Sequence, residues 1–310
     1  MLQNPCGQLE RRGRAIPMRL YSLSFITVLL FSTAVPANAE KTLRVETLPG
    51  VVKQGDACFV RASGPASLTS IYGEFQGERF PMASGVQNGT YEGLLGIDLN
   101  IRPAAYEIRV LATDGEGKVY RSGLWLKVKR ADFKTQRLSL PSPMVDLDAE
   151  TLERVDREEK RLKALFQGFR EERLWGGPFV RPVPGEVTTG FGLRRIINGQ
   201  PRSPHTGVDL RGEKGTPVWA CNSGVVALVD QLFFSGKSVI LDHGWGLYSM
   251  YFHLSETLVG EGDRVRTGAM LGRVGSTGRS TRPHLHWAIR IRGARVDPLS
   301  LVKSTEHLRE

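Results

Sequence analysis

The sequence predicts a mainly β protein with an N-terminal immunoglobulin-like β-sandwich, a connector helix and a C-terminal domain built on an antiparallel β-sheet. Three observations predict it. Residues 41 to 130 hold short runs of alternating apolar and polar side chains, bounded by turn-forming pairs. A charged segment after them repeats its apolar residues at helical spacing. Gly-rich strand text then returns, and residues 179–303 carry five of the six histidines. Composition agrees: 310 residues with 40% hydrophobic side chains, 35 Gly and 17 Pro are too apolar for a disordered chain and too punctuated for a helical bundle. Three cysteines are too few for a disulfide scaffold. The length allows about two domains.

Taken in order, the chain opens on a leader. After Met18-Arg19 comes LYSLSFITVLLFSTAV, apolar but short for a bilayer span, and then Pro36-Ala37-Asn38-Ala39. This reads as a secretory signal peptide cut after Ala39, with Met18 as an alternative start. Its removal takes four arginines and one glutamate from a net charge of +10 and leaves +7. A basic exported protein suits an anionic envelope surface, and nucleic acid is not an expected partner. Cys58 and Cys221 remain; both lie in apolar strand-like runs and read as two separately buried thiols rather than a pair.

LRVETL, ACFVRAS, SIYGEF, GTYEGLLGI, AYEIRVLAT and LWLKVKR are the predicted strands of the sandwich, with turns at Pro49-Gly50, Gly64-Pro65, Asn88-Gly89 and Asp114-Gly115. No histidine falls among them, so a scaffolding or positioning role is expected. After Leu140-Pro141-Ser142-Pro143, the residues Leu152, Val155, Leu162, Leu165, Phe166 and Phe169 form one stripe on a helix capped by Asp148 and stopped at Gly176-Gly177-Pro178. Such a stripe packs between domains or across a groove, and packing between domains is the expectation. The boundaries read as a leader at 1–39, the sandwich at 40–130, a linker with the helix at 131–178, the histidine-bearing domain at 179–303 and a tail at 304–310.

The chemistry-bearing text lies in that last domain. PHTGVDL places His205 and Asp209 four residues apart, on one face if the chain is extended. GSTGRSTRPHLHWAIRI reads as a half-buried strand with His284, His286, Ala288 and Arg290 on one face and Leu285, Trp287, Ile289 and Ile291 on the other. In SVILDHGWGLYSMYFHLS a turn at Gly244-Trp245-Gly246 joins two strands, and strict alternation puts His253 on the face of Tyr251 and Ser249. Two His and one Asp make a zinc ligand set that leaves a position open for water, and two histidines are then left for proton transfer. There is no H-E-x-x-H helix to supply a glutamate base. His243 reads as a structural turn histidine and His307 as a solvated residue of the tail.

The set HTGVD, YFHLS and GSTGRSTRPHLHW, in this order on a Gly-rich β segment, resembles the LytM/lysostaphin-type zinc metallopeptidases over roughly residues 180 to 300. The resemblance implies a fold of lysostaphin type for this domain and one Zn2+ held by His205, Asp209 and His286. It makes His253 and His284 the catalytic pair. It also implies endopeptidase cleavage of peptide cross-links in bacterial peptidoglycan; the leader makes the enzyme an exported one, expected in the periplasm or released from the cell, with no stable membrane anchor after signal cleavage. The alternative is a non-catalytic peptidoglycan-binding activator or regulator of another wall hydrolase. Two positions depart from the family pattern. Arg282 stands where Gly is usual, and residues 191–204 lack the Tyr that in some relatives helps hold the oxyanion, leaving Asn198, Arg195 or Tyr248 as substitutes.

Overall fold

The computed structural model describes residues 42–64, 67–85, 87–139 and 147–309. The leader, Pro65 and the Leu140–Pro143 run lie outside the described residues. Nine strands come first: β1 Arg44–Leu48, β2 Val51–Lys53, β3 Ala57–Ser63, β4 Leu68–Phe75, β5 Glu78–Pro81, β6 Ala83–Ser84, β7 Thr90–Gly96, β8 Ala104–Asp114 and β9 Val119–Lys129. They make a four-stranded sheet in the order β1-β3-β7-β6 and a five-stranded sheet in the order β2-β9-β8-β4-β5. Alternation explains the packing. On β3, Cys58, Val60 and Ala62 meet Ile108, Val110 and Ala112 of β8 in the core between these sheets.

The opposite face of β3 is also buried. Ala57 and Phe59, with Leu94 of β7, belong to the core of the C-terminal sheet together with Trp175, Phe179, Leu285 and Trp287. The run ACFV is continuously apolar because both of its faces are covered. Cys58 and Cys221 are free thiols in the two different cores. Burial pushes them up to about 12 and about 11, respectively. Asp98 accepts three hydrogen bonds from Arg295, two of them a bidentate pair from its guanidinium at 3.0 and 2.8 Å, which ties the N-terminal sheets to the end of the chain.

The C-terminal part continues with β10 Thr135–Leu138, helix α1 Ala149–Gln167, and strands β11 Val187–Thr189, β12 Arg194–Ile197, β13 Gln200–Arg202, β14 Gly207–Arg211, β15 Pro217–Trp219, β16 Gly224–Leu232, β17 Gly236–Asp242, β18 Leu247–Thr257, β19 Arg264–Val265, β20 Met270–Val274, β21 His284–Ile291 and β22 Ala294–Val296, then helix α2 Pro298–Ser304. The large sheet runs β11-β14-β21-β18-β17-β16-β19, with β15, β20 and β22 paired beside it. A separate three-stranded sheet joins β10, parallel, to the β12–β13 hairpin. The hairpin closes on Asn198-Gly199, both with positive φ (51° and 78°), the geometry of a two-residue primed turn.

Helix α1 starts as its sequence reads, with Asp148 Oδ1 accepting from the Thr151 amide at 2.8 Å, but it ends at Gln167, well before Gly176-Gly177-Pro178. The cause is tertiary. The Tyr248 hydroxyl donates to the carbonyls of Leu165 and Gly168, and the backbone beyond is held by the β17–β18 turn: the Trp245 amide donates to Arg170 O and the Leu174 amide to His243 O. The stripe also divides. Leu162, Leu165 and Phe166 pack on Leu228, Ile240, Met250 and Ala288, whereas Leu152 and Phe169 are exposed. The expectation of packing between domains is thus corrected, because the apolar bed that receives the stripe is on the large sheet, on the face that carries Ala288. His307 is corrected as well. Rather than solvated, its ring packs edge-on against Phe59 with centroids 4.8 Å apart, because α2, which immediately precedes it, packs on β3.

Candidate metal centre

Three adjacent strands bring the site together. In the antiparallel register Asp209 of β14 lies opposite His286 of β21, and His286 lies opposite Phe252 of β18. The flanking pairs Leu210–Leu285 and Val208–Trp287 point the other way, into the core. Phe252 stacks on the His286 ring, with centroids 5.6 Å apart and planes 3° from parallel. His205 precedes β14 and is locked by two backbone bonds: its amide donates to Leu193 O and its carbonyl accepts from Gly192.

Three donor atoms converge. His205 Nε2, His286 Nδ1 and Asp209 Oδ1 lie 2.9 Å from one another in every pairing, and all three residues are well shielded from solvent. The His205 Nδ1 donates to the carbonyl of Gly190 at 2.9 Å; since a carbonyl only accepts, that nitrogen carries the proton, and in a neutral ring Nε2 presents a lone pair to the Asp209 carboxylate. Acceptor facing acceptor is unfavourable without a positive centre between them. Burial pushes His286 down, toward the neutral form a metal ligand needs. Two imidazole nitrogens and one carboxylate oxygen are a donor set suited to zinc.

Gly207 makes room for this set. A Cβ placed there would stand 2.8 Å from His286 Nε2 and closer still to the Trp287 carbonyl, so the glycine of HTGVD allows β14 to approach β21.

His253 and His284 form a second pair beside the first, with ring centroids 4.8 Å apart. The His253 Nδ1 donates to Thr277 O at 2.8 Å and the His284 Nδ1 to Arg282 O at 2.8 Å, which leaves Nε2 on each ring for the site; the His284 Nε2 is 3.7 Å from Asp209 Oδ1. Burial pushes His253 down to about 4, so its ring is neutral at pH 7. Its position corrects the strict-alternation reading. Tyr251 and Ser249 are buried on the core side, but His253 adopts φ +62° at an irregularity in the pairing of β18. That left-handed residue turns the ring toward His284.

Two of the remaining expected positions, His243 and Tyr248, are committed elsewhere. His243 is fully buried, bonding to Ser223 O and Ser249 Oγ, both at 2.7 Å, and Tyr248 is committed to the end of α1. Asn198 is at the hairpin tip, and Arg195 is on β12 next to it. The acceptors that orient His205, His253 and His284 are the backbone carbonyls of Gly190, Thr277 and Arg282, which leave no side-chain signature. Phe252 was also missed, although YFH carries an aromatic at the position facing His286.

Residues 203–298 match the family model described as Peptidase family M23. The chain is 42% identical over 134 residues to the DD-carboxypeptidase/endopeptidase Mpg of Neisseria meningitidis serogroup B, covering 43% of this chain and 31% of that protein. It is 32% identical over 145 residues to the peptidoglycan DD-endopeptidase ShyA of Vibrio cholerae, covering 46% of this chain and 31% of that protein. It therefore spans about a third of the length of the curated relatives it matches. Among solved structures, a peptidase M23 from Pseudomonas aeruginosa aligns with a TM-score of 0.62 at 27% identity, covering 81% of this chain and 95% of that chain, so the likeness reaches beyond the matched domain into the N-terminal sheets.

Proposed function

Because residues 203–298 are a peptidase family M23 domain of LytM/lysostaphin type, we propose that this chain is a zinc-dependent endopeptidase that hydrolyses peptide cross-links of bacterial peptidoglycan. The observation that carries the reading is the convergence of His205, Asp209 and His286 on one point with two further oriented imidazoles beside it. The names of the relatives, which act on DD bonds, supply the substrate class. The leader sequence, outside the described residues, supports an exported enzyme that meets its polymer in the periplasm.

His205, Asp209 and His286 would hold the metal, and a zinc ion there supplies a Lewis acid and lowers the pKa of a nearby water. The protein's own groups do the rest. Gly190 O fixes the His205 tautomer, and Phe252 stacked on His286 shields that ring from water. His253, neutral with Nδ1 tied to Thr277 O, takes a proton at Nε2 from the attacking water. The leaving amine receives the proton that His253 took from the water, and His284, with its Nδ1–H tied to Arg282 O, directs Nε2 at the site, where only the imidazolium form would donate to charge developing on the scissile group.

Incubating the protein with cross-linked sacculi, with and without a zinc chelator, and weighing the released muropeptides tests the reading. Chelator-sensitive loss of cross-linked dimers is expected. Intact dimers in a zinc-loaded sample would overturn the enzyme and favour the competing reading, a non-catalytic activator of another hydrolase.

A further inference from the structure

Two segments flank the candidate metal centre, and both are basic. Residues 191–204, which include the β12–β13 hairpin, carry Arg194, Arg195 and Arg202; residues 275–283 carry Arg279 and Arg282; neither segment contains an Asp or Glu. Among the described residues none of these five guanidiniums has an ion pair or a side-chain hydrogen bond.

Their placement is costly unless something offsets it. Arg195 and Arg202 are directly opposite in the hairpin register, a like-charge pair that opposes strand pairing. The Arg195 Nε is buried with no acceptor, and an unmet buried donor is unfavourable. Arg279 is held through its backbone, its amide donating to Phe234 O at 2.9 Å, with its guanidinium 4.1 Å above the Phe234 ring. Burial, then the charges of Arg195 and Arg202, push its pKa down, so the three groups share one neighbourhood. Both segments lead directly to the site. Leu193, two residues before Arg195, accepts from the His205 amide, and Thr277, two residues before Arg279, accepts from His253 Nδ1.

We propose that Arg195, Arg202 and Arg279 form a carboxylate-binding subsite that seats an anionic peptide next to the metal centre. Resting on the peptidase reading, this names the feature of the substrate that is recognised: a free carboxylate on the peptide, rather than its apolar side chains. A planar guanidinium pairs with a carboxylate in a bidentate fork, and three without internal partners accept one or two such groups. Arg279 over Phe234 is pre-positioned for this by its ring contact.

The test measures binding in the zinc-loaded full chain carrying His253→Ala, which removes turnover. One probe is a synthetic cross-linked stem-peptide dimer with free carboxylates, and the other is the same dimer fully amidated. The acid form is expected to bind at least about tenfold more tightly than the amide, and Arg195→Gln/Arg202→Gln/Arg279→Gln to erase that preference while leaving amide binding unchanged. Arg279→Gln alone, at a position held through its backbone amide, is expected to remove part of the preference and guards against misfolding of the triple variant. Equal binding of the two probes, no binding of either, or a preference that survives the triple substitution would overturn the subsite. Turnover by the wild-type chain is followed in parallel; a preserved preference without turnover would overturn the peptidase reading and leave the subsite standing.

Discussion

At the scale of single residues, the site depends on backbone geometry as much as on ligand identity. Gly207→Ala forces a methyl group against the Trp287 carbonyl and His286 Nε2, and zinc affinity is predicted to fall by about 10- to 100-fold, read by competition with a chromogenic chelator; unchanged affinity would show that β14 can move away. At His253 the left-handed backbone carries an unfavourable conformation that the surrounding bonds must hold. The five candidate residues, His205, Asp209, His253, His284 and His286, lie together, and that grouping was legible in the sequence because their side chains form a pattern. The face of His253 was not legible, since an irregular strand with one positive φ breaks the period-two rule that the reading used. Nor were the orienting carbonyls of Gly190, Thr277 and Arg282, which any residue could supply.

At the scale of elements, α1 and the β17–β18 turn act on one another. The helix is amphipathic in sequence, but only the sheet decides which part of the stripe is used. Phe166→Ala is predicted to cost about 2 kcal/mol of stability and Leu152→Ala less than about 0.5 kcal/mol, measured by chemical denaturation; equal effects would contradict the packing on Leu228, Ile240 and Ala288. The turn adds a pH dependence. Burial holds His243 at about 4 against an ordinary value near 6.5, so the unfolded chain binds the extra proton first. Its contribution is therefore complete above pH 6.5 and lost as the pH falls toward 4, on the order of 3 kcal/mol in total. Melting curves from pH 7.5 to 4.5 are expected to show the loss, and His243→Gln to reduce it, the remainder coming from His253, which burial holds at about 4 as well. The six long strands of the N-terminal sheets were legible from alternation and turn pairs. The short strands β2, β5 and β6 and the parallel pairing of β10 with β12 were not, because runs of two to four residues carry no period.

At the scale of the whole molecule, the N-terminal sheets and the large sheet share a core. Phe59 and Leu94 lie in the same cluster as Trp175, Phe179 and Trp287, and Arg295 is held by Asp98. A fragment of residues 178–310 loses those partners, along with Trp175, and is predicted to melt well below the 40–310 chain in a calorimeter; equal midpoints would show that the shared core contributes nothing. The sequence read the sandwich and the catalytic text as separate domains because each has its own pattern. That β3 buries both faces is written only in the unbroken apolar run ACFV, which a strand inside a single domain could equally carry.

The most direct test of the central claim separates metal binding from proton transfer in one experiment: zinc content and cleavage of cross-linked muropeptide dimers by the wild-type, His205→Ala and His253→Ala chains. The account predicts one zinc per wild-type chain with loss of dimers, little zinc and no cleavage for His205→Ala, and one retained zinc with cleavage reduced by at least about 100-fold for His253→Ala. Full cleavage by His253→Ala, or intact dimers with zinc-loaded wild type, would contradict it.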